Sequence, residues 1–188
     1  MSTQTMNKAI AYYTKIQPML RKTILMMMLF VFTGTLQAQN AQVANIRKMY
    51  AQAKEMMTQK KPAGVPPNET LVTSNYMAAG AGPVKDVTHY YYNGDFDEDL
   101  GAEYYTPYFM TRKYNVGARE YYEEFLYDKG SLVFYFSKCQ GNETRFYWGA
   151  GGFFHEDIKG EKQMDEVYAS RLANDLKDAF DKLMNREY

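Results

Sequence analysis

From Glu69 to Phe154 the chain alternates short runs rich in Tyr, Phe, Val and Thr with turn residues, and no gap between runs is long. A parallel crossover needs about a dozen or more residues, so neighbouring runs this close together must pair antiparallel. Residues 70–77, 84–92, 103–114, 119–127, 132–139 and 144–148 read as strands. They are punctuated by Gly80-Ala81-Gly82-Pro83, Asn93-Gly94, Asn115-Val116-Gly117, Asp128-Lys129-Gly130 and Gln140-Gly141-Asn142. The expectation is an antiparallel β-meander of five to six strands.

Helical periods flank this region. Val43, Ile46, Tyr50, Ala53 and Met57 recur at spacings of three and four, which predicts a helix over 41–60 with Arg47, Lys54 and Lys60 off its apolar stripe. Pro62, Gly64, Pro66 and Pro67 end it and form a stiff linker. Over 165–184, Tyr168, Leu172, Leu176, Ala179, Phe180 and Leu183 form an apolar face, with Asp175, Lys177, Asp178, Asp181 and Lys182 mostly solvated. A two-sided helix has to bury its stripe. The sheet is the large apolar surface available, so both helices are expected on one of its faces. The fold class is α+β, a helix, a meander and a second helix in one domain over 39–188.

Between Tyr90 and Phe154 lie 12 Tyr, 8 Phe and Trp148, more than one covered face can absorb. Side chains alternate along a strand, so the pairs Tyr104-Tyr105 and Tyr121-Tyr122 and the run Tyr90-Tyr91-Tyr92 put rings on both faces. Rings turned away from the helices would offer flat area with a polar tip, which suits sugar rings, peptides or a protein partner. Tyr91, Tyr147 and Trp148 are the aromatic ligand-binding candidates. His155-Glu156-Asp157 is the best polar cluster, in an extended or loop segment, and His155 and Glu156 join the candidate set.

Sites with stricter spacing rules fail. Lys159 occupies the second His position of H-E-x-x-H, and Gly149-Ala150-Gly151-Gly152 is followed by Phe153 and Phe154 rather than a phosphate-binding Lys, which leaves it as a bulge or tight turn. Asp95, Asp97 and Asp99 fit positions 1, 3 and 5 of an EF-hand loop. Leu100 stands where Gly is required and Thr106 where Glu is required, so a solvated acidic turn is expected. There is no G-x-S-x-G, and Cys139 lies in an aromatic strand and is expected to be buried. Glu123 and Glu124 are strand neighbours facing opposite sides, so they cannot share a substrate. No catalytic residue, metal ligand or cofactor is assigned.

The segment 19–38 has the anatomy of an export signal. Arg21 and Lys22 precede nine apolar residues, Ile24 to Phe32, and the stretch closes on Thr33-Gly34-Thr35-Leu36-Gln37-Ala38. The apolar run is shorter than the roughly 20 residues a membrane span needs. Cleavage is expected after Ala38, and Met19 is the expected start, with residues 1–18 an upstream over-call of the reading frame or a long n-region. The Ala38-Gln39 junction resembles exported proteins of Bacteroidetes-type Gram-negative bacteria, many of which begin with Gln after processing, and that resemblance implies a periplasmic or secreted location. Without residues 1–38 the chain carries 18 basic against 22 acidic side chains, a formal charge of −4. No basic field remains to track nucleic acid, and no polybasic patch for anionic lipid.

One further resemblance is local. Tyr127-Asp128-Lys129-Gly130-Ser131-Leu132 is similar to the hairpin turn of YD-repeat proteins, but it is a single unit, one residue short between Asp and Gly. It implies a hairpin there and no repeat array. The expected function is therefore an exported, non-catalytic binding or interaction protein using a Tyr/Trp-rich sheet surface. Its partner would be a protein, peptide or glycan of the cell envelope, with no nucleic acid and no stable membrane span after signal cleavage. The alternatives are an enzyme acting on envelope polymers or glycans, with His155, Glu156 or Asp157 moving protons, and a calcium-dependent structural module.

Overall fold

Short turns do force an antiparallel meander, and it has seven strands rather than five to six. The computed structural model describes residues 38–58, 68–98 and 101–185. The proline-rich linker, the export signal up to Gln37, and Asp99 and Leu100 of the acidic loop lie outside the described residues. Strands β1 (Glu69–Ala78), β2 (Gly82–Asp97), β3 (Ala102–Val116), β4 (Arg119–Asp128), β5 (Ser131–Cys139), β6 (Asn142–Gly149) and β7 (Gly152–Lys159) pair in sequence order, each antiparallel to the next. Helix α1 covers residues 38–58 and α2 covers Glu166–Met184. Residues up to Gln42 form a unit separate from Val43–Tyr188, and all packing described below lies within the second unit. No described helix is long and apolar enough to cross a membrane.

The extra strand is β7, which contains His155-Glu156-Asp157, so of the extended and loop alternatives that cluster takes the extended one, on the edge of the sheet. Its charges hide the apolar alternation, and charge on an edge strand is a common way of blunting unwanted pairing. Gly149 to Gly152 forms the tight turn expected of it. Asn93-Gly94 is not a turn. β2 runs straight through it, and a Cβ at Gly94 would lie 3.2 Å from the Tyr105 ring on the paired strand. Glycine serves there to admit a neighbouring ring, and the chain reverses later, between Asp97 and Ala102.

The helices lie on opposite faces of the sheet, which corrects the expectation that both cover one. Val43, Ile46 and Ala53 of α1 pack with Tyr91, Phe109, Leu126, Phe134 and Tyr147. Ala169, Ala173 and Phe180 of α2 pack with Tyr90, Met110, Phe125, Tyr127, Tyr135, Phe146 and Trp148. Adjacent residues such as Tyr90 and Tyr91 thus serve two different cores, and the aromatic surplus is consumed by both. On α2 the buried stripe runs through Ala169, Ala173 and Phe180, with Leu172 and Leu176 beside it, while Tyr168 and Leu183 are exposed. Alanines at the contact let the helix backbone approach a face already filled with rings.

Three register shifts fall between Tyr91/Tyr92, Leu126/Tyr127 and Tyr147/Trp148. They follow one transverse row on the α1 face, Tyr91, Phe109, Leu126, Phe134, Tyr147 and His155, which are cross-strand partners in succession. Each shift leaves an extra residue on the odd-numbered strand, Tyr108, Val133 or Phe154, and all three pack at the margin of the α1 cluster. Bulges increase local twist, and here they also add apolar area to the face that α1 covers.

Candidate functional site

The next row on the α1 face is polar. Glu124, Phe136, Arg145 and Asp157 are successive cross-strand partners on β4 to β7. Helix α1 reaches down to this row with Tyr50 of its apolar stripe and Lys54 beside it. Lys54 Nζ donates to Glu124 Oε1 at 2.6 Å, Tyr122 donates to the same oxygen at 2.7 Å, and the Tyr50 hydroxyl donates to Glu124 Oε2. Glu124 is buried, and these donors replace the water it gives up.

At the other end of the row Arg47 Nη2 donates to Asp157 Oδ2 at 2.9 Å. Tyr147 donates its hydroxyl to the same oxygen at 3.0 Å, and Arg47 Nε reaches that hydroxyl at 3.4 Å. His155 Nε2 lies 3.2 Å from Asp157 Oδ1. Burial alone would raise the Asp157 pKa, but the hydrogen bonds from Tyr147, Arg47 and His155 together hold it below the ordinary carboxylate value. Burial, with the neighbouring Asp157 carboxylate, pushes the Tyr147 phenol up. Asp157 is thus an anion whose oxygens are already engaged, and Tyr147 a phenol that holds its proton. Neither is poised to accept a proton from a substrate.

Between these two clusters opens a groove of about 400 Å³, lined by Arg47, Tyr50, Phe134, Phe136, Arg145, Tyr147 and Asp157. Its aromatic walls are interlocked. Tyr50 and Phe134 meet edge to face at 5.1 Å between centroids, and Phe134 and Tyr147 are also 5.1 Å apart. The Arg145 guanidinium lies 5.0 Å above the Phe136 ring and donates to Glu143 Oε2 at 2.7 Å. That bond holds Glu143 below its ordinary pKa. A guanidinium has five N–H donors. Arg145 commits one of them to Glu143 and Arg47 two to Asp157 and Tyr147, so the groove keeps spare donors beside the half-buried Tyr50 and Phe136 rings, while Phe134 and Tyr147 are buried in its floor.

Two of the five sequence candidates meet here, Tyr147 and His155, whose rings are 5.3 Å apart. The other three do not join them. Trp148 and Glu156 are the next residues along β6 and β7 and so point to the α2 face. There Trp148 is 9 % exposed against Phe146 and Phe153, and Glu156 accepts from Lys162 at 2.8 Å. Tyr91 is on the α1 face but four strands away and 8 % exposed, packed near Phe109 with its hydroxyl 3.3 Å from His89 Nδ1. Sequence reasoning missed Arg47, Tyr50, Phe136 and Arg145. Arg47 and Lys54 sit one residue off the α1 stripe, where a charged residue flanks the buried face, and that was the available signal.

Glu123 faces the α2 side, as the alternation requires. It accepts from Tyr135 at 2.9 Å and from Arg112 Nη1 at 3.2 Å, while Arg112 also forks onto Asp86 at 2.5 to 3.1 Å. Burial raises the Glu123 pKa, because the one guanidinium it faces is shared with Asp86. Glu123 is fully buried in this network, and Arg112 and Asp86 are each 13 % exposed. Cys139 is buried, and among the described residues no group of three or more His, Cys, Asp or Glu could hold a metal ion. Compared with known proteins, the chain matches no family model, no curated protein and no solved structure.

Proposed function

We propose that this chain is an exported, non-catalytic binding protein that holds a peptide or glycan of the cell envelope in the groove between α1 and strands β5 to β7. The observation that carries the reading is the division of labour in the groove. Its acids are neutralised internally, while the half-buried rings of Tyr50 and Phe136 and spare N–H donors of Arg47 and Arg145 line the opening. Such a surface favours an uncharged ligand with a flat apolar side and oxygen acceptors at its edge, which describes a sugar ring or a peptide backbone. Export rests on the signal-like segment 19–38.

The reading is tested by isothermal titration against two soluble probes, oligosaccharides released from peptidoglycan by muramidase and a panel of short neutral peptides. One class should bind, and Phe136→Ala or Arg145→Ala should weaken that binding by about 1–2 kcal/mol or more, as expected of central contacts. A probe that binds equally well to both variants, or turnover of either probe, would overturn it.

A further inference from the structure

The two edges of the sheet are built differently. β7 carries His155, Glu156, Asp157 and Lys159 along its length. β1, ETLVTSNYMA, has one charge, Glu69, at its very start, and its outer edge pairs with no strand among the described residues. Leu71, Tyr76 and Met77 on it are 55 %, 48 % and 76 % exposed. A long, little-charged edge strand with free backbone donors and acceptors is a template for a further strand.

The β1 sequence says which strand. Around Ser74 its pattern is a palindrome in character: Leu71-Val72 and Tyr76-Met77 are apolar, and Thr73, Ser74 and Asn75 between them are polar. We propose that two copies of this chain pair antiparallel through β1, about a twofold axis at Ser74, to make one continuous sheet. An axis perpendicular to the sheet keeps the α1 face of both copies on the same side, and this requires residues to pair with partners of the same parity. Centred on Ser74, the pairing sets Leu71 against Met77, Val72 against Tyr76 and Thr73 against Asn75 of the second copy. Leu71, Val72, Tyr76 and Met77 then each meet an apolar side chain, and cross-strand pairs of aromatic and β-branched residues are the stabilising unit of a sheet. Centring on Thr73 would oppose Leu71 to Asn75 and Glu69 to Met77. The Ser74 register also holds the two Glu69 carboxylates ten residues apart along the strand, roughly 34 Å at about 3.4 Å per residue, far beyond the Debye length of about 8 Å at physiological salt. A foreign strand would have no reason to match this symmetry. The groove lies at the opposite end of the sheet, so the dimer leaves both grooves open and does not depend on them.

Sedimentation velocity over a dilution series, on the chain as its host produces it, is the first readout, and a disulfide at the axis is the second. Ser74→Cys places two thiols directly opposite each other at a spacing a disulfide can bridge, whereas Thr70→Cys puts them far apart, and the buried Cys139 takes no part. The expected result is a concentration-dependent dimer, with rapid cross-linking of Ser74→Cys and none of Thr70→Cys. Ser74→Lys sets two ammonium groups against each other only in a symmetric pair, and should abolish the dimer without lowering the monomer's melting temperature. A wild-type monomer at every concentration overturns the proposal. So does a dimer that fails to cross-link through Ser74→Cys, since it must use another surface or register.

Discussion

Inside the α1 face Glu124 and Asp157 each draw donors from the helix as well as the sheet, and this makes single residues sensitive. Glu124 collects Tyr50 and Lys54 from the helix and Tyr122 from its own strand. Glu124→Ala would leave the half-buried phenols without their acceptor and should destabilise the fold by about 1.5–3 kcal/mol in urea unfolding, the range for hydrogen bonds to a charged group. Asp157 and Glu123 respond to pH with opposite signs. Asp157 is held below the ordinary value of 3.8, so its contribution is present above that pH and is lost as pH falls through the folded value. The penalty of Asp157→Asn should therefore shrink toward zero in acid. Glu123 is raised above 4.5 by burial, so its contribution is present below 4.5 and lost as pH rises through the folded value. The wild type should lose stability relative to Glu123→Gln over that rise, and unfolding measured across a pH series reads both effects. None of this pairing could be read from the chain. Glu123 and Glu124 were legible as opposite-facing neighbours, but apart from Tyr122 their partners lie 11 to 74 residues away.

At the scale of elements, turns and caps do what local chemistry demands. Lys129 and Gly130 join β4 to β5 with φ of 49° and 78°, both left-handed, as a two-residue hairpin needs. Gly130→Ala should cost about 1–2 kcal/mol, the usual penalty for an L-residue in that region. The Asp165 side chain caps α2 by accepting from the Tyr168 backbone N–H at 2.7 Å. Phe180 anchors the far end of the helix against Tyr90 and Tyr92, with centroids 5.3 Å away in each case. Phe180→Ala should destabilise by about 3–5 kcal/mol in thermal or denaturant unfolding. Both helices were readable from period alone. The exact stripe of α2 was not, because Tyr168 and Leu183 look like core residues until the alanines beside them are seen to make the contact. β7 escaped for the opposite reason, since its edge position allows charges that erase a strand's apolar alternation.

Across the whole molecule the governing fact is a sheet covered on both faces. The excess of aromatic residues was visible in sequence, and so was their division between two faces. What the pattern alone could not assign was the second helix, because an amphipathic stripe fits either side of a sheet whose faces are equally apolar. That assignment decides where a ligand could go. The α2 side carries the Arg112, Glu123 and Asp86 network and a groove beside Trp148, Phe153 and Val167, while on the α1 side a groove lies among β5 to β7, rimmed by the donors of Arg47 and Arg145. The account stands or falls on that groove. The decisive measurement is an NMR titration of the labelled protein with muramidase-released peptidoglycan oligosaccharides and, in parallel, with the neutral peptides. Resonances of Phe136, Arg145, Tyr147 and His155 should move together on adding one of the two probes, while Trp148, Val167 and β1 stay still. Shifts concentrated at Trp148 and Val167 on the α2 face, or none with either probe, would contradict it.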